Sequence, residues 1–84
     1  MRVQVLGTGC PKCNELAKRT EEALRSLGFD FTVEKVTDLR EILEAGVLMT
    51  PALMVNGRLK SSGRVPAASE IATILTSEVQ GGVS

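Results

Sequence analysis

The 84-residue sequence has no histidine, tryptophan or tyrosine, and its only aromatic side chains are Phe29 and Phe31. Histidine is the usual general base near neutral pH and the commonest metal ligand, so neither role can depend on it here. Two aromatic residues are too few to form a platform on which nucleic-acid bases stack. Any chemistry therefore has to come from other side chains, and the two cysteines are the first candidates.

The sequence also lacks an excess of charge, because ten Lys and Arg residues balance ten Asp and Glu residues. The basic residues are scattered, which argues against electrostatic binding to nucleic acid or to an anionic membrane. No uncharged apolar run approaches the roughly 20 residues of a membrane helix, and no secretory signal pattern is visible. We expect a cytoplasmic protein that binds neither nucleic acid nor membrane.

The pattern of apolar residues predicts one α/β domain with elements in the order β-α-β-α-β-β-α. Strands two and one are expected to be parallel and strands three and four to form a hairpin at Asn56-Gly57, which gives a mixed four-stranded sheet with helices packed on it. The final helix is expected to begin at Pro66 or to be capped by Ser69. The expected strands are residues 2–6, 29–34, 52–55 and 59–62, the helices 11–28, 38–46 and 67–79, the single domain 1–79, and a flexible tail 80–84.

The segment Cys10-Pro11-Lys12-Cys13 lies where the first strand gives way to the first helix. Backbone N–H groups and the positive end of the helix dipole favour a thiolate at that point, which makes Cys10 the candidate nucleophile. Cys13, one turn further along, is the candidate resolving thiol, and Lys12 is expected to add a modest stabilisation of the thiolate. Such a pair can exchange disulfides with a partner.

The spacing alone leaves three uses of the cysteines open. They can form a redox-active disulfide, bind a soft metal such as copper, zinc or mercury, or serve as structural thiols. Gly7 to Cys13 followed by an amphipathic helix also resembles the heavy-metal-associated domains, which act as metallochaperones. The helix expected directly after the second strand argues against that family, whose order is β-α-β-β-α-β.

Three segments taken together resemble the thioredoxin-like superfamily: Gly9 to Cys13, Thr50-Pro51 before the third strand, and Val55-Asn56-Gly57 with Gly63 beyond it. More narrowly, the chain is similar to the small archaeal and bacterial redox-active disulfide proteins that lie between thioredoxin and glutaredoxin. The resemblance implies a thiol–disulfide oxidoreductase with no cofactor other than a Cys10–Cys13 disulfide and with no metal. It also implies disulfide-bearing protein substrates and a thioredoxin-reductase-like electron donor, and we expect a monomer.

The resemblance also assigns a substrate site. In that family the proline at the position of Pro51 follows a cis peptide bond and faces the disulfide. Gly9, Met49 and Thr50 are expected to line the site with it, and the backbone of Thr50 to pair with an extended partner segment.

The chain departs from its relatives at two places. Gln4 stands where thioredoxins carry a buried acid, so no carboxylate there can accept the proton of the resolving thiol. We hypothesise that Gln4 lies beneath the disulfide and hydrogen-bonds near Cys13, although a satisfied polar core residue is an equal alternative. Lys12 and the segment Ser61 to Val65 depart from the glutathione-binding pattern of glutaredoxins, which makes glutathione a doubtful partner.

Overall fold

The computed structural model describes residues 2–9, 11–29 and 31–81. The chain forms the seven elements in the predicted order. The strands are β1 (Val3–Leu6), β2 (Val33–Val36), β3 (Ala52–Val55) and β4 (Arg58–Ser62), and the helices are α1 (Pro11–Ser26), α2 (Leu39–Glu44) and α3 (Ala68–Gly81).

The strands form one mixed sheet in the order β2-β1-β3-β4. Strand β1 is parallel to β2 and antiparallel to β3, and β3 is antiparallel to β4. Because β1 and β3 are central, most of their residues are buried: every residue of β3, and every residue of β1 except the partly buried Gln4. The predicted α/β fold is confirmed.

The two faces of the sheet belong to different cores. Helices α1 and α3 cover one face, where Val3 and Val5 of β1 are buried with the apolar stripes of both helices. The short helix α2 covers part of the other face, where Leu6 of β1 packs with Ile42 and Met54. Successive residues of a strand point to opposite faces, so alternate positions of β1 face different helices.

The second strand lies further along the chain than predicted, at residues 33–36 rather than 29–34. The alternation of Phe29 and Phe31 arises from a different contact, because their rings pack edge to face with centroids 6.1 Å apart. The amide of Phe29 donates to the carbonyl of Leu24, so this segment is still closing the end of α1. Parallel pairing with β1 begins only at Val33.

Helix ends follow local hydrogen bonding. Asp38 caps α2 as its spacing predicts, since its Oδ1 accepts from the amide of Arg40 at 2.9 Å. Helix α3 begins at Ala68, so Pro66 is not its first residue and Ser69 is not its cap. The carbonyl of Ala67 accepts a hydrogen bond from the amide of Ile71. The helix extends to residue 81, beyond its expected end at 79. Residues 82–84 lie outside the described residues.

The hairpin turn is tied to two other elements through Asn56. Asn56 and Gly57 have φ values of 53° and 78°, the left-handed pair expected of such a turn. The Asn56 Oδ1 accepts from the amide of Arg2 at 2.8 Å, and its Nδ2 donates to Glu78 of α3 at 3.2 Å. The pKa of Glu78 is held below its usual value, chiefly by a hydrogen bond from Lys60 and secondly by the one from Asn56.

The Asn56 side-chain bonds predict a measurable contribution to stability. Asn56→Gly keeps the left-handed turn but removes both bonds, and we expect it to lower the free energy of unfolding by about 1 kcal/mol. Asn56→Ala should cost about 1 kcal/mol more, because a Cβ atom disfavours positive φ. Urea unfolding measures both. Equal stability of Asn56→Gly and the natural chain would show that these bonds contribute nothing.

Strand β4 contains a buried polar group without a partner. Ser61 is only 6% exposed, and its Oγ makes no hydrogen bond within the described part of the chain. Ser61→Ala removes the desolvated hydroxyl and should raise the free energy of unfolding by about 1 kcal/mol. The matched control is Ser62→Ala, one residue along on the exposed side of the strand. A loss of stability in Ser61→Ala alone would contradict this account.

Candidate active site

The cysteine motif lies where β1 passes through a short loop into α1. Helix α1 begins at Pro11, as the motif predicts, and its first turn contains no acidic residue. Cys13 is buried, with 5% of its surface exposed, whereas Lys12 is exposed. The predicted nucleophile, Cys10, lies outside the described residues.

Gly7 brings the resolving cysteine against the end of β1. A methyl group built on Gly7 would lie 2.1 Å from the Sγ of Cys13 and 3.8 Å from the Cβ of Thr50. The Cys13 sulfur and the Thr50 side chain therefore both lie beside Gly7, although Cys13 and Thr50 are distant from each other in sequence. The Gly7 amide donates to the carbonyl of Val36 at 2.9 Å, which fixes this backbone to the sheet.

The peptide bond between Thr50 and Pro51 is cis. Pro51 is fully buried, and its carbonyl accepts from the amide of Gly63 at 2.9 Å. Thr50 is exposed. The structure thus places an accessible residue, Thr50, beside the Gly7 backbone that also contacts Cys13.

An apolar rim precedes this peptide bond. Leu48 and Met49 are 88% and 63% exposed. The Met49 side chain lies over Gly63, where an added Cβ would be 3.2 Å from its Cε. Three of the residues predicted to bind substrate therefore lie together at one edge of the site, namely Met49, Thr50 and Pro51.

A narrow opening lies beside Cys13 and Gly7. Its volume is about 10 Å³, room for about one water molecule, and Gly9, Asn14, Lys35 and Thr37 line it together with Cys13. Gly9, a predicted site residue, is exposed and has a φ of 90°, which favours glycine. Sequence reasoning missed the role of Gly7; a glycine directly after a buried strand was the available signal.

The hypothesis that Gln4 lies beneath the cysteines is wrong. Gln4 pairs with Met54 in the sheet and lines a hollow with Leu6 on the face covered by α2. Cys13 is on the opposite face, where the neighbouring strand residue is Val5. The error follows from the two-residue period of a strand, in which a shift of one position reverses the face.

The alternative of a soft-metal site gains no support from the structure. Within residues 2–9, 11–29 and 31–81, no group of three or more His, Cys, Asp or Glu side chains is placed to hold an ion. Helix α2 also follows β2 directly, unlike the element order of the heavy-metal-associated domains.

Comparison with known proteins identifies the family. The thioredoxin domain model matches residues 1–76. The chain belongs to the thioredoxin family. A thioredoxin of Methanothermobacter thermautotrophicus is 45% identical over 76 residues, which cover 90% of this chain and 99% of that protein. A thioredoxin of Methanocaldococcus jannaschii is 37% identical over 79 residues, which cover 94% of this chain and 91% of that protein.

Membership of the thioredoxin family confirms the resemblance drawn from the motifs. It supports, in general terms, a thiol–disulfide oxidoreductase. Among the described residues, no helix has both the length and the apolar character needed to cross a membrane.

The Gly7 contact yields a prediction about packing. In Gly7→Ala the new methyl group would lie 2.1 Å from the Cys13 sulfur, so the helix or the strand must move. We expect the free energy of unfolding to fall by about 2 kcal/mol, the cost of overpacking. Adding Cys13→Ala removes the sulfur and should recover at least about 1 kcal/mol in a double-mutant cycle measured by urea unfolding. Strictly additive effects would show that the two residues do not touch.

Proposed function

We propose that this thioredoxin-family chain reduces protein disulfides with the dithiol Cys10-Pro11-Lys12-Cys13. Cys10 directly precedes α1, which begins at Pro11 without an acidic residue in its first turn. The exposed amides and the dipole of that helix favour a thiolate, and Lys12 adds a nearby positive charge. Cys10 is therefore the nucleophile and Cys13 the resolving thiol.

The observation that carries the proposal is the meeting of Cys13 and Thr50 at Gly7. It puts the second thiol of the motif beside an exposed edge on which a partner segment can lie. Met49 and Thr50 are accessible there, Pro51 is buried next to them in the chain, and Gly9 lines a narrow opening with Cys13. An extended partner pairs with the Thr50 backbone in the manner of strand addition.

Electrons pass from the dithiol to the partner in two exchanges. The Cys10 thiolate attacks one sulfur of the partner disulfide, a Cys10–partner bond forms, and the second partner sulfur leaves as a thiolate. The Cys13 thiolate then attacks the Cys10 sulfur, which forms the Cys10–Cys13 disulfide and releases the first partner sulfur. The partner gains two electrons, and the dithiol is oxidised.

The dithiol must then be reduced again, and we propose a thioredoxin-reductase-like donor. Glutathione is not favoured, because Lys12 and the segment Ser61 to Val65 depart from the glutathione-binding pattern of glutaredoxins. Arg64 in that segment is hydrogen-bonded to Glu70. That hydrogen bond also holds the pKa of Glu70 below its usual value. A monomeric state and a cytoplasmic location stay predictions.

Insulin reduction in the presence of dithiothreitol tests the proposal. Cys10→Ser should reduce the rate to that of dithiothreitol alone, because the attacking sulfur is lost. In a separate incubation with insulin and without dithiothreitol, reduced Cys13→Ser should still attack but not resolve, and should therefore accumulate a mixed disulfide with insulin that is visible by mass spectrometry.

Ser26→Ala, an exposed change at the far end of α1, is the matched control and should retain full activity. Natural activity in Cys10→Ser would contradict the assignment. So would the absence of any turnover by the unmodified chain.

A further inference from the structure

We propose that Met49 is a modification site: a hydroperoxide oxidises its thioether to the sulfoxide, and the sulfoxide weakens the binding of protein partners at the edge formed by Met49 and Thr50. This inference rests on the proposed function, because it concerns the same binding edge. The modification acts on recognition of the partner and leaves the thiol chemistry of the cysteines unchanged.

The methionines of the described residues differ in how far an oxidant can reach them. Met49 is 63% exposed, whereas Met54, in the central strand β3, is 8% exposed. A thioether that is open to solvent reacts with a small hydroperoxide, and one inside a packed core is shielded from it. Met1 lies outside the described residues. Of Met49 and Met54, oxidation should therefore reach Met49 first.

The Met49 side chain has a defined place against Gly63. A Cβ atom added to Gly63 would lie 3.2 Å from the Cε, 3.4 Å from the Cβ and 3.6 Å from the Sδ of Met49, so the side chain lies along this glycine. The Gly63 amide donates to the carbonyl of Pro51 at 2.9 Å. The Met49 sulfur is thus held over backbone that is joined to the proline following Thr50.

The surface before Thr50 is apolar and open. Leu48 is 88% exposed and precedes Met49 directly. A partner segment that pairs with the Thr50 backbone comes within reach of the neighbouring Met49 side chain. Apolar surface that the partner then removes from water contributes to binding in proportion to its area.

Oxidation changes the polarity of this contact. The sulfoxide of Met49 is polar and carries a strong hydrogen-bond acceptor, whereas the thioether is apolar. A partner that covers the sulfoxide has to remove water from its oxygen, and that desolvation is unfavourable unless a hydrogen bond replaces the water. We therefore expect the KM for a protein partner to rise about threefold to tenfold.

The oxidation balances with the hydroperoxide as its co-reactant. A lone pair of the Met49 sulfur attacks the terminal oxygen of the hydroperoxide, the S–O bond forms, and the O–O bond breaks. The bonding electron pair leaves with the second oxygen, which takes the proton of the transferred oxygen and departs as water or an alcohol. The sulfur is oxidised by two electrons, and the hydroperoxide is reduced by the same two.

The first measurement locates the modification. The cysteines are oxidised to the Cys10–Cys13 disulfide, the chain is treated with hydrogen peroxide, and tandem mass spectrometry of its peptides finds the added oxygen. If the rates follow the exposed fractions, 63% against 8%, Met49 should react roughly eightfold faster than Met54. Equal rates, or faster oxidation of Met54, would overturn the proposal.

The second measurement follows activity. After the peroxide is removed, dithiothreitol restores the thiols and leaves the sulfoxide in place, and insulin reduction is measured against insulin concentration. The KM should rise about threefold to tenfold at an unchanged kcat. The rate with dithiobis-nitrobenzoate should not change, because this small disulfide needs no extended contact at Met49. Methionine sulfoxide reductases, one for each sulfoxide epimer, should return the KM to its original value.

Three variants assign the effect to one sulfur. Met49→Leu has no thioether at this position, so its KM should be the same before and after peroxide. Met54→Leu, the matched control in β3, conserves side-chain volume and should respond to peroxide as the natural chain does. Met49→Gln places a polar group of similar length there and should have a raised KM without peroxide. Thermal unfolding of each variant confirms that it is folded.

The outcomes separate this inference from the proposed function. An unchanged KM in a chain that carries oxygen on Met49, or an equal response in Met49→Leu, overturns the inference and leaves the oxidoreductase standing. A parallel loss of rate with dithiobis-nitrobenzoate would show damage to the thiols and also overturn it. A chain that reduces no insulin before treatment contradicts the proposed function, and the inference falls with it.

Discussion

The contact on which the site depends is that between the Cys13 sulfur and the backbone of Gly7. Any side chain at position 7 would occupy the space of the sulfur, so the first turn of α1 can lie against β1 only because this residue has no Cβ. The Gly7 amide is bound in turn to Val36 of β2. Helix α1, the end of β1 and the segment at Thr50 therefore meet at one backbone position that the sheet holds in place.

In this arrangement, the face of the sheet to which a residue of β1 points decides whether that residue can interact with Cys13. Val5 faces α1 and contributes to the larger core, whereas Gln4 and Leu6 face α2. A polar side chain at position 4 cannot reach the cysteine through the sheet. The groups available to Cys13 must come from its own face of the sheet.

Much of the fold could be predicted because its signals are local. Asp38 at a helix cap and Asn56-Gly57 at a hairpin act through hydrogen bonds and φ values within a few residues. The start of β2 could not be predicted in this way, since the parallel register with Val3 decides it and the ring contact of Phe29 and Phe31 imitates a strand pattern.

The same distinction applies to the site. The residues of the motif and Thr50-Pro51 could be identified from the sequence through their family resemblance. The role of Gly7 depends on how closely the first turn of α1 packs against the end of β1. The glycine is visible in the sequence, but the contact with the Cys13 sulfur exists only once the helix and the sheet are assembled.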